Sequence, residues 1–258
     1  MNVILKIVRG VKGERFSTMG NTLAIDLASR RYRDFGFALL EAGDPAPKFP
    51  KAAEFDLSDP PEADALAAAI HSLADTANVS QVLLDGSQGW RHPNSSIEHM
   101  RLCERVLNTP GKTGTPGHAK PGTYLNYIQF SIDVFHYLRV DYGWSLLTED
   151  WTEHSNQRWI VEVFPSVAWS LLGLERLPSK SKAGKKLEPW RKSLARVTGY
   201  VLPKDISHDE LQAAVVLPLG HSLNQKREDL MILAGVDPII EDDVVYEGVI
   251  ACPRLTPA

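Results

Sequence analysis

The alternation of apolar and polar residues predicts an α/β chain. Four runs rich in β-branched and aliphatic residues are typical of buried strands: 21–28, 35–40, 79–84 and 159–164. Apolar residues at helical spacing predict five helices: 59–76, 97–107, 124–140, 165–173 and 207–219. The order strand, strand, helix, strand at the start of the chain predicts a mixed sheet in which the first helix makes the crossover.

The middle of the chain is less regular than its two ends. Residues 87–157 predict a helical and loop insertion that covers one end of the sheet, and residues 108–122 within it are almost all turn formers. We expect a mobile loop there. Since neither an internal repeat nor a low-complexity tract occurs, the sequence predicts a single domain over residues 1–258.

The composition narrows the class of protein. Of 258 residues 43% are apolar, which suffices for a sizeable core and excludes a disordered chain. Because no run of about 18 apolar residues occurs, we expect no membrane span. The opening apolar run is interrupted by Lys6 and Arg9, unlike a signal peptide. Cys103 and Cys252 lie far apart with no disulfide framework, so we expect a cytoplasmic protein.

One segment departs from the overall charge of the chain. The formal net charge is −4, so a nucleic-acid partner would require a local basic patch. Residues 176–196 carry eight Lys and Arg against the single acid Glu188. Lys180, Lys182 and Arg191, near Trp190, would suit a groove for a phosphate backbone with one stacking aromatic. A solvated loop and helix face is the alternative.

Acidic residues interrupt the predicted core strands. Each of three strands carries one carboxylate, and the last helix adds a fourth at its start: Asp26, Asp85, Glu162 and Asp209. Each alone has an ordinary explanation, such as a turn, a helix dipole or a lysine partner. Together they would cost several kcal/mol per ion unless cations neutralise them. Two Mg²⁺ or Mn²⁺ ions about 4 Å apart could do so, and could activate a water against a phosphodiester. We therefore take these four acids as candidate metal-binding and catalytic residues.

Six segments resemble the domain of unknown function 429 family, over about residues 20–254. They are Ile25-Asp26-Leu27-Ala28, Leu84-Asp85-Gly86, Arg101-Leu102-Cys103-Glu104, Val161-Glu162-Val163-Phe164-Pro165, Ser179-Lys180 through Gly184 to Arg191, and Glu247-Gly248-Val249-Ile250. The family is regarded as one of predicted ribonuclease-H-like nucleases. The resemblance implies a ribonuclease-H-like fold, with a central mixed sheet flanked by helices, and metal-dependent hydrolysis of DNA or RNA.

The resemblance also implies roles for the four acids. Asp26 would bridge two ions, Asp85 and Glu162 would each complete one coordination shell, and Asp209 would hold the second ion or its water. However, Gln212 stands where the family often has a further Asp. This leaves open whether Asp209, Glu210 or neither supplies the fourth ligand.

Other interpretations remain open on the sequence. Arg101 and Glu104 could form a simple i, i+3 pair, and Ser207 with Glu210 predicts a capping box. The same fold could serve as a non-catalytic module that binds nucleic acid or another protein. An ATP-handling enzyme of actin and sugar-kinase architecture is a further alternative, although residues 29–33 lack the glycines of its phosphate-binding hairpin.

Overall fold

The computed structural model describes residues 20–27, 34–55, 57–154, 157–184 and 186–255. The strands are β1 Asn21–Asp26, β2 Gly36–Leu40, β3 Val79–Asp85, β4 Lys112–Thr113, β5 Ala119–Lys120, β6 Ser145–Leu146, β7 Trp159–Val163, β8 Met231–Glu241 and β9 Val244–Pro253. The helices are α1 Ala63–Thr76, α2 Leu102–Leu107, α3 Leu125–Val140, α4 Pro165–Leu171, α5 Lys180–Ala183, α6 Glu188–Thr198, α7 His208–Val216 and α8 Pro218–Asn224.

Within the described residues, seven strands form one mixed sheet in the order β2-β1-β3-β7-β9-β8, with β6 beside β7. Strands β1, β3, β7 and β9 run parallel, while β2 and β8 run antiparallel to their neighbours at the two sides. The carboxyl ends of the parallel strands therefore meet along one edge. We call this the carboxyl edge, and define it by Asp26, Asp85 and Val163, the last residues of β1, β3 and β7.

Helices cover both faces of the sheet. Leu23 and Ile25 of β1 pack with side chains of α1 and α3, and Ala24 packs on the opposite side with α4, α6, α7 and α8. We call these the α3 face and the α7 face. This alternation is what a strand buried on both sides requires.

The structure confirms most of the predicted elements, including β1, β2, β3, β7, α1, α3, α4 and α7. The first helix begins at Ala63 rather than near Asp59, because the consecutive prolines Pro60 and Pro61 bias the residues before them away from helical angles. The second begins at Leu102 rather than near Ile97. Residue 28, the last of the predicted first strand, and residues 29–33, between that strand and the next, lie outside the described residues.

Two features of the structure were not predicted. The turn-rich segment 108–122, expected as a mobile loop, contains the antiparallel hairpin of β4 and β5. Strands β8 and β9 form a long hairpin that extends the sheet beyond β7.

No helix in the described part of the chain is long and apolar enough to cross a membrane.

Candidate functional site

Asp26 and Asp85 meet at the carboxyl edge. They end neighbouring parallel strands and lie directly opposite each other in the register. Asp26 lies two residues after Ala24, and Asp85 lies two residues after Leu83. Because Ala24 and Leu83 both pack on the α7 face, strand alternation assigns both acids to that face. Asp26 is only 2% exposed and Asp85 is half-buried. Their side chains are hydrogen-bonded to each other, so the structure brings two of the four predicted acids into contact.

This contact changes the acidity of Asp85. Burial raises its pKa from an ordinary 3.8 to about 7, the hydrogen bond with Asp26 acts in the opposite direction, and the negative charge of Glu162 adds to the rise. Two carboxylates in contact do not both ionise readily unless a cation joins them. Below about pH 7 the pair therefore shares a proton, which belongs to the pair and not to one oxygen.

Glu162 does not join this pair. It lies opposite Leu84 in the register, one position before Asp85. Because Ile160, two residues earlier, packs on the α3 face, alternation assigns Glu162 to that face. Its Oε1 and Oε2 accept hydrogen bonds from the Nη2 and Nη1 of Arg101, at 2.7 and 2.8 Å. Oε2 also accepts from the backbone N–H of Gln88 at 2.9 Å.

Arg101 is the centre of a buried ionic network that sequence reasoning missed. Its side chain is fully buried and donates to Glu104 Oε1 from Nη2 at 3.0 Å, in addition to its two bonds to Glu162. The i, i+3 pair with Glu104 is thus present, but as part of a larger set. Glu104 also accepts from the backbone N–H and the hydroxyl of Thr113, at 2.8 and 2.5 Å. One guanidinium faces two carboxylates, so the network is net negative.

A cavity of about 420 Å³ opens at the carboxyl edge. Asp85 and Glu162 line it from the sheet, and Arg101 and Glu104 line it from the network. The remaining wall includes these residues of the insertion: Thr109, Pro110, Gly111, Thr123, Tyr124 and Tyr127. Its volume is in the range of sites for small ligands.

Asp209 is engaged in a separate ion pair. Its Oδ2 accepts from Lys180 Nζ at 2.5 Å, and its Oδ1 lies 3.1 Å from His208 Nδ1. Burial would raise the pKa of Asp209, but the hydrogen bonds from His208 and Lys180 hold it below its ordinary value. Burial would likewise lower the pKa of Lys180, but its hydrogen bonds to Asp209 and Asp34 raise it. The carboxylate of Asp209 is thus already neutralised by the protein.

The neighbours of Asp209 on α7 also have structural partners. Glu210 closes the predicted capping box, because its Oε2 accepts from Ser207 N at 2.7 Å while its own N–H donates to Ser207 Oγ at 3.2 Å. Glu210 also pairs with Lys51. Gln212 accepts from the indole N–H of Trp169 at 2.8 Å, so this position holds α4 against α7.

The basic segment is only partly open to a ligand. Lys180 bridges Asp34 and Asp209, and Arg191 donates to the carbonyl of Leu202 at 3.1 Å. Lys182 is exposed. Two of the three predicted substrate-binding residues are thus engaged with this chain's own acceptors.

The four acids divide into the hydrogen-bonded pair of Asp26 with Asp85 and two residues matched by basic side chains. Among the described residues, no group of three or more His, Cys, Asp or Glu side chains is arranged to hold a metal ion. The pair nevertheless fits one cation, because Mg²⁺ is commonly held by one or two carboxylates while water and substrate phosphate complete its shell.

Comparisons of this chain with protein-family models, with curated proteins and with solved structures found no match. The geometry of the carboxyl edge is therefore the basis of the functional proposal.

Proposed function

We propose that this protein is a divalent-metal-dependent nuclease that hydrolyses phosphodiester bonds at the carboxyl edge. Asp26 and Asp85 would be its metal-binding and catalytic residues. One observation carries the proposal: the buried carboxyl group of Asp26 is in contact with that of Asp85 on the neighbouring strand, and Asp85, with a pKa raised to about 7, lines a cavity of about 420 Å³.

The chemistry of the pair supports Mg²⁺ or Mn²⁺ as the cation. Carboxylate oxygens are the ligands that these hard cations prefer. Such an ion, when bound, lowers the pKa of a water and neutralises charge on phosphate oxygens. Asp26 and Asp85 would release their shared proton when they bind the cation, with Asp85 at the cavity wall and Asp26, which is 2% exposed, beside it. The excess negative charge of Glu104 and Glu162 over Arg101 would favour a cation nearby.

Glu162 and Asp209 receive positioning roles in this proposal. Glu162 fixes the start of the insertion through the N–H of Gln88 and holds Arg101 at the cavity wall. Asp209 fixes α5 to α7 through Lys180. The proposal thus uses two metal ligands where the sequence predicted four, because the other two, Glu162 and Asp209, are already paired with Arg101 and Lys180.

The topology gives further support to a ribonuclease-H-like fold. The β1–β2 hairpin is continued by an antiparallel bridge between Leu39 and Lys48, α1 then crosses over, and β3 returns parallel to β1 with an acid at its end. The resemblance of the sequence to the domain of unknown function 429 family agrees with this order. The β8–β9 hairpin beyond β7 would be an addition to the fold.

Hydrolysis of labelled single-stranded DNA and RNA, with Mg²⁺ or Mn²⁺ and with a chelator, tests the proposal. We expect cleavage that needs the cation and that falls by at least about 100-fold in Asp26→Asn and Asp85→Asn, since even outer-shell changes at metal sites cost 10- to 100-fold. Asp141→Asn, which changes an exposed acid after α3, is the matched control. Full metal-dependent activity in Asp26→Asn would contradict the assignment. Binding of nucleic acid without cleavage under any divalent cation would favour the non-catalytic module.

A further inference from the structure

The hairpin of β4 and β5 begins and ends at the cavity. Gly111, just before β4, and Thr123, shortly after β5, both line the cavity wall. Within the hairpin, Lys112 and Lys120 lie directly opposite each other. Like charges at opposed positions of an antiparallel pair disfavour the pairing. An anionic ligand bound at both lysines would relieve this repulsion.

The two lysines lie on the segment between the cavity-lining residues Gly111 and Thr123. Lys112 Nζ donates to the backbone carbonyl of Glu104, a cavity-lining residue, at 3.3 Å, and Lys120 is exposed. A carbonyl carries no net charge, so Lys112 keeps its positive charge for a ligand. The two lysines thus form a basic lip, which we define as Lys112 and Lys120.

An aromatic side chain adjoins this basic lip. Tyr124 lines the cavity and is 36% exposed. Its ring packs over Gly111, where an added Cβ would come within 3.0 Å of Tyr124 Cδ1. Cationic groups that follow a phosphate backbone, together with an aromatic face for a base, are the usual elements of single-strand recognition.

The size of the cavity limits what can reach the acids. A volume of about 420 Å³ accepts a ligand the size of a nucleotide. Because Asp26 is 2% exposed, a base-paired duplex lying on the surface would not bring its phosphates to the pair. A single strand that inserts its end into the cavity would bring a phosphate to Asp85, the member of the pair that lines it.

We propose that the cavity binds the terminal nucleotide of a single-stranded nucleic acid, with a base on Tyr124 and the adjoining phosphates on Lys112 and Lys120. This inference rests on the proposed function for what happens at Asp26 and Asp85, but the binding itself needs no catalysis. It places the phosphate contacts on the basic lip and not on the segment 176–196 that the sequence favoured.

The test is equilibrium binding in a chelator, so that no cleavage occurs. The probe is an oligothymidylate of about 30 nucleotides with an internal fluorophore, as a linear strand and as a closed circle, followed by anisotropy. We expect the linear strand to bind at least about tenfold more tightly than the circle or a blunt duplex, because only the linear strand has an accessible single-stranded end.

Substitutions test which side chains contact the phosphates and the base of the strand. Lys120→Gln should weaken binding of the linear strand and lower the slope of log K against log salt by about 0.7. Tyr124→Ala should lower the affinity for the linear strand about tenfold, while Tyr124→Phe, which keeps the ring, should bind as tightly as the wild type. Lys204→Gln, an exposed lysine outside both basic regions, is the matched control and should change little, and Lys182→Gln tests the segment 176–196.

Each other outcome overturns the inference. Equal affinity for linear and circular strands would exclude end recognition, and an effect of Lys182→Gln but not of Lys120→Gln would move the contact to the segment 176–196. Absence of binding, or preference for free thymidine monophosphate over the strand, would also contradict it. Tight end binding without metal-dependent cleavage would leave the inference standing and refute the proposed function.

Discussion

At the scale of single residues, Asp85 makes stability depend on pH. Its pKa is about 7 in the folded protein against an ordinary 3.8. Between these values the unfolded chain loses the proton and the folded protein keeps it, so the free energy of unfolding falls as pH rises. Without metal, we expect the free energy of unfolding of the wild type to fall by a few kcal/mol relative to that of Asp85→Asn between about pH 4 and pH 7. Each unit of pKa difference corresponds to about 1.4 kcal/mol. Urea unfolding of both proteins across this range measures the effect, and parallel profiles would contradict it.

Arg101 provides a second prediction at this scale. Arg101→Met removes the only guanidinium that faces the carboxylates of Glu104 and Glu162 in the described network. Leaving buried carboxylates without their cation should cost about 3–5 kcal/mol in chemical denaturation. The matched control is Lys192→Met, which breaks an exposed i, i+4 pair with Glu188 and should cost less than about 1 kcal/mol. Similar small losses in both variants would mean that the network does not stabilise the fold.

Single residues also show how much of the candidate site could be predicted from the sequence. An acid within an apolar run marks Asp26 and Glu162, and an acid directly after one marks Asp85, as unusual from the sequence alone. Which of them meet depends on the register between β3 and β7, which places Glu162 opposite Leu84 and so on the other face. No local pattern encodes that register. For the same reason the bonds from Arg101 to Glu162, 61 positions apart, could not be predicted.

At the scale of elements, Gly36 allows α7 to lie against the first hairpin. Gly36 pairs with Asp26 across the β1–β2 register, and a Cβ there would lie 2.2 Å from the backbone carbonyl of Asp209. We expect Gly36→Ala to displace the start of α7 and to destabilise the protein by about 1–3 kcal/mol. Gly122→Ala, where no atom lies within 4 Å of the added Cβ, is the control. Thermal unfolding compares the two variants. If Gly36→Ala is as stable as the wild type, α7 can shift without a loss of stability.

Elements with a regular pattern were predictable and those without one were not. The capping box of Ser207 with Glu210 and the apolar runs of β1, β3 and β7 were visible in the sequence. Strands β8 and β9 were not, because a register shift near Pro238 and positive φ angles at Glu247 and Gly248 interrupt their alternation. The β4–β5 hairpin pairs only two residues on each side, too few for a period to show.

At the scale of the whole molecule, buried glutamates join the insertion to the sheet. Glu162 accepts from Gln88 N and Glu247 from Leu102 N, while Glu104 accepts from Thr113 N within the insertion. These bonds hold the wall of the cavity in place. The candidate site therefore depends on segments that are remote in sequence and that only the assembled sheet brings together.

Amide hydrogen exchange tests this dependence. In Glu247→Ala the N–H groups of His92 and Leu102 lose their acceptor. We expect exchange to rise about 10- to 100-fold there and to spread through residues 88–113, since a bond to a charged acceptor is worth about 1.5–3 kcal/mol. Amides of β1 and β3 should keep the rates of wild type. Faster exchange throughout the sheet would instead indicate global destabilisation.

The central claim is that a divalent cation replaces the proton shared by Asp26 and Asp85, and proton release measures this most directly. Calorimetric titration of Mn²⁺ in two buffers of different ionisation enthalpy counts the protons displaced. We predict release of about one proton per bound ion near pH 6, and much less near pH 8.5, where the pair has already ionised. Asp85→Asn should bind Mn²⁺ weakly and release none. Mn²⁺ binding that releases no proton near pH 6, or that persists in Asp85→Asn, would contradict the account.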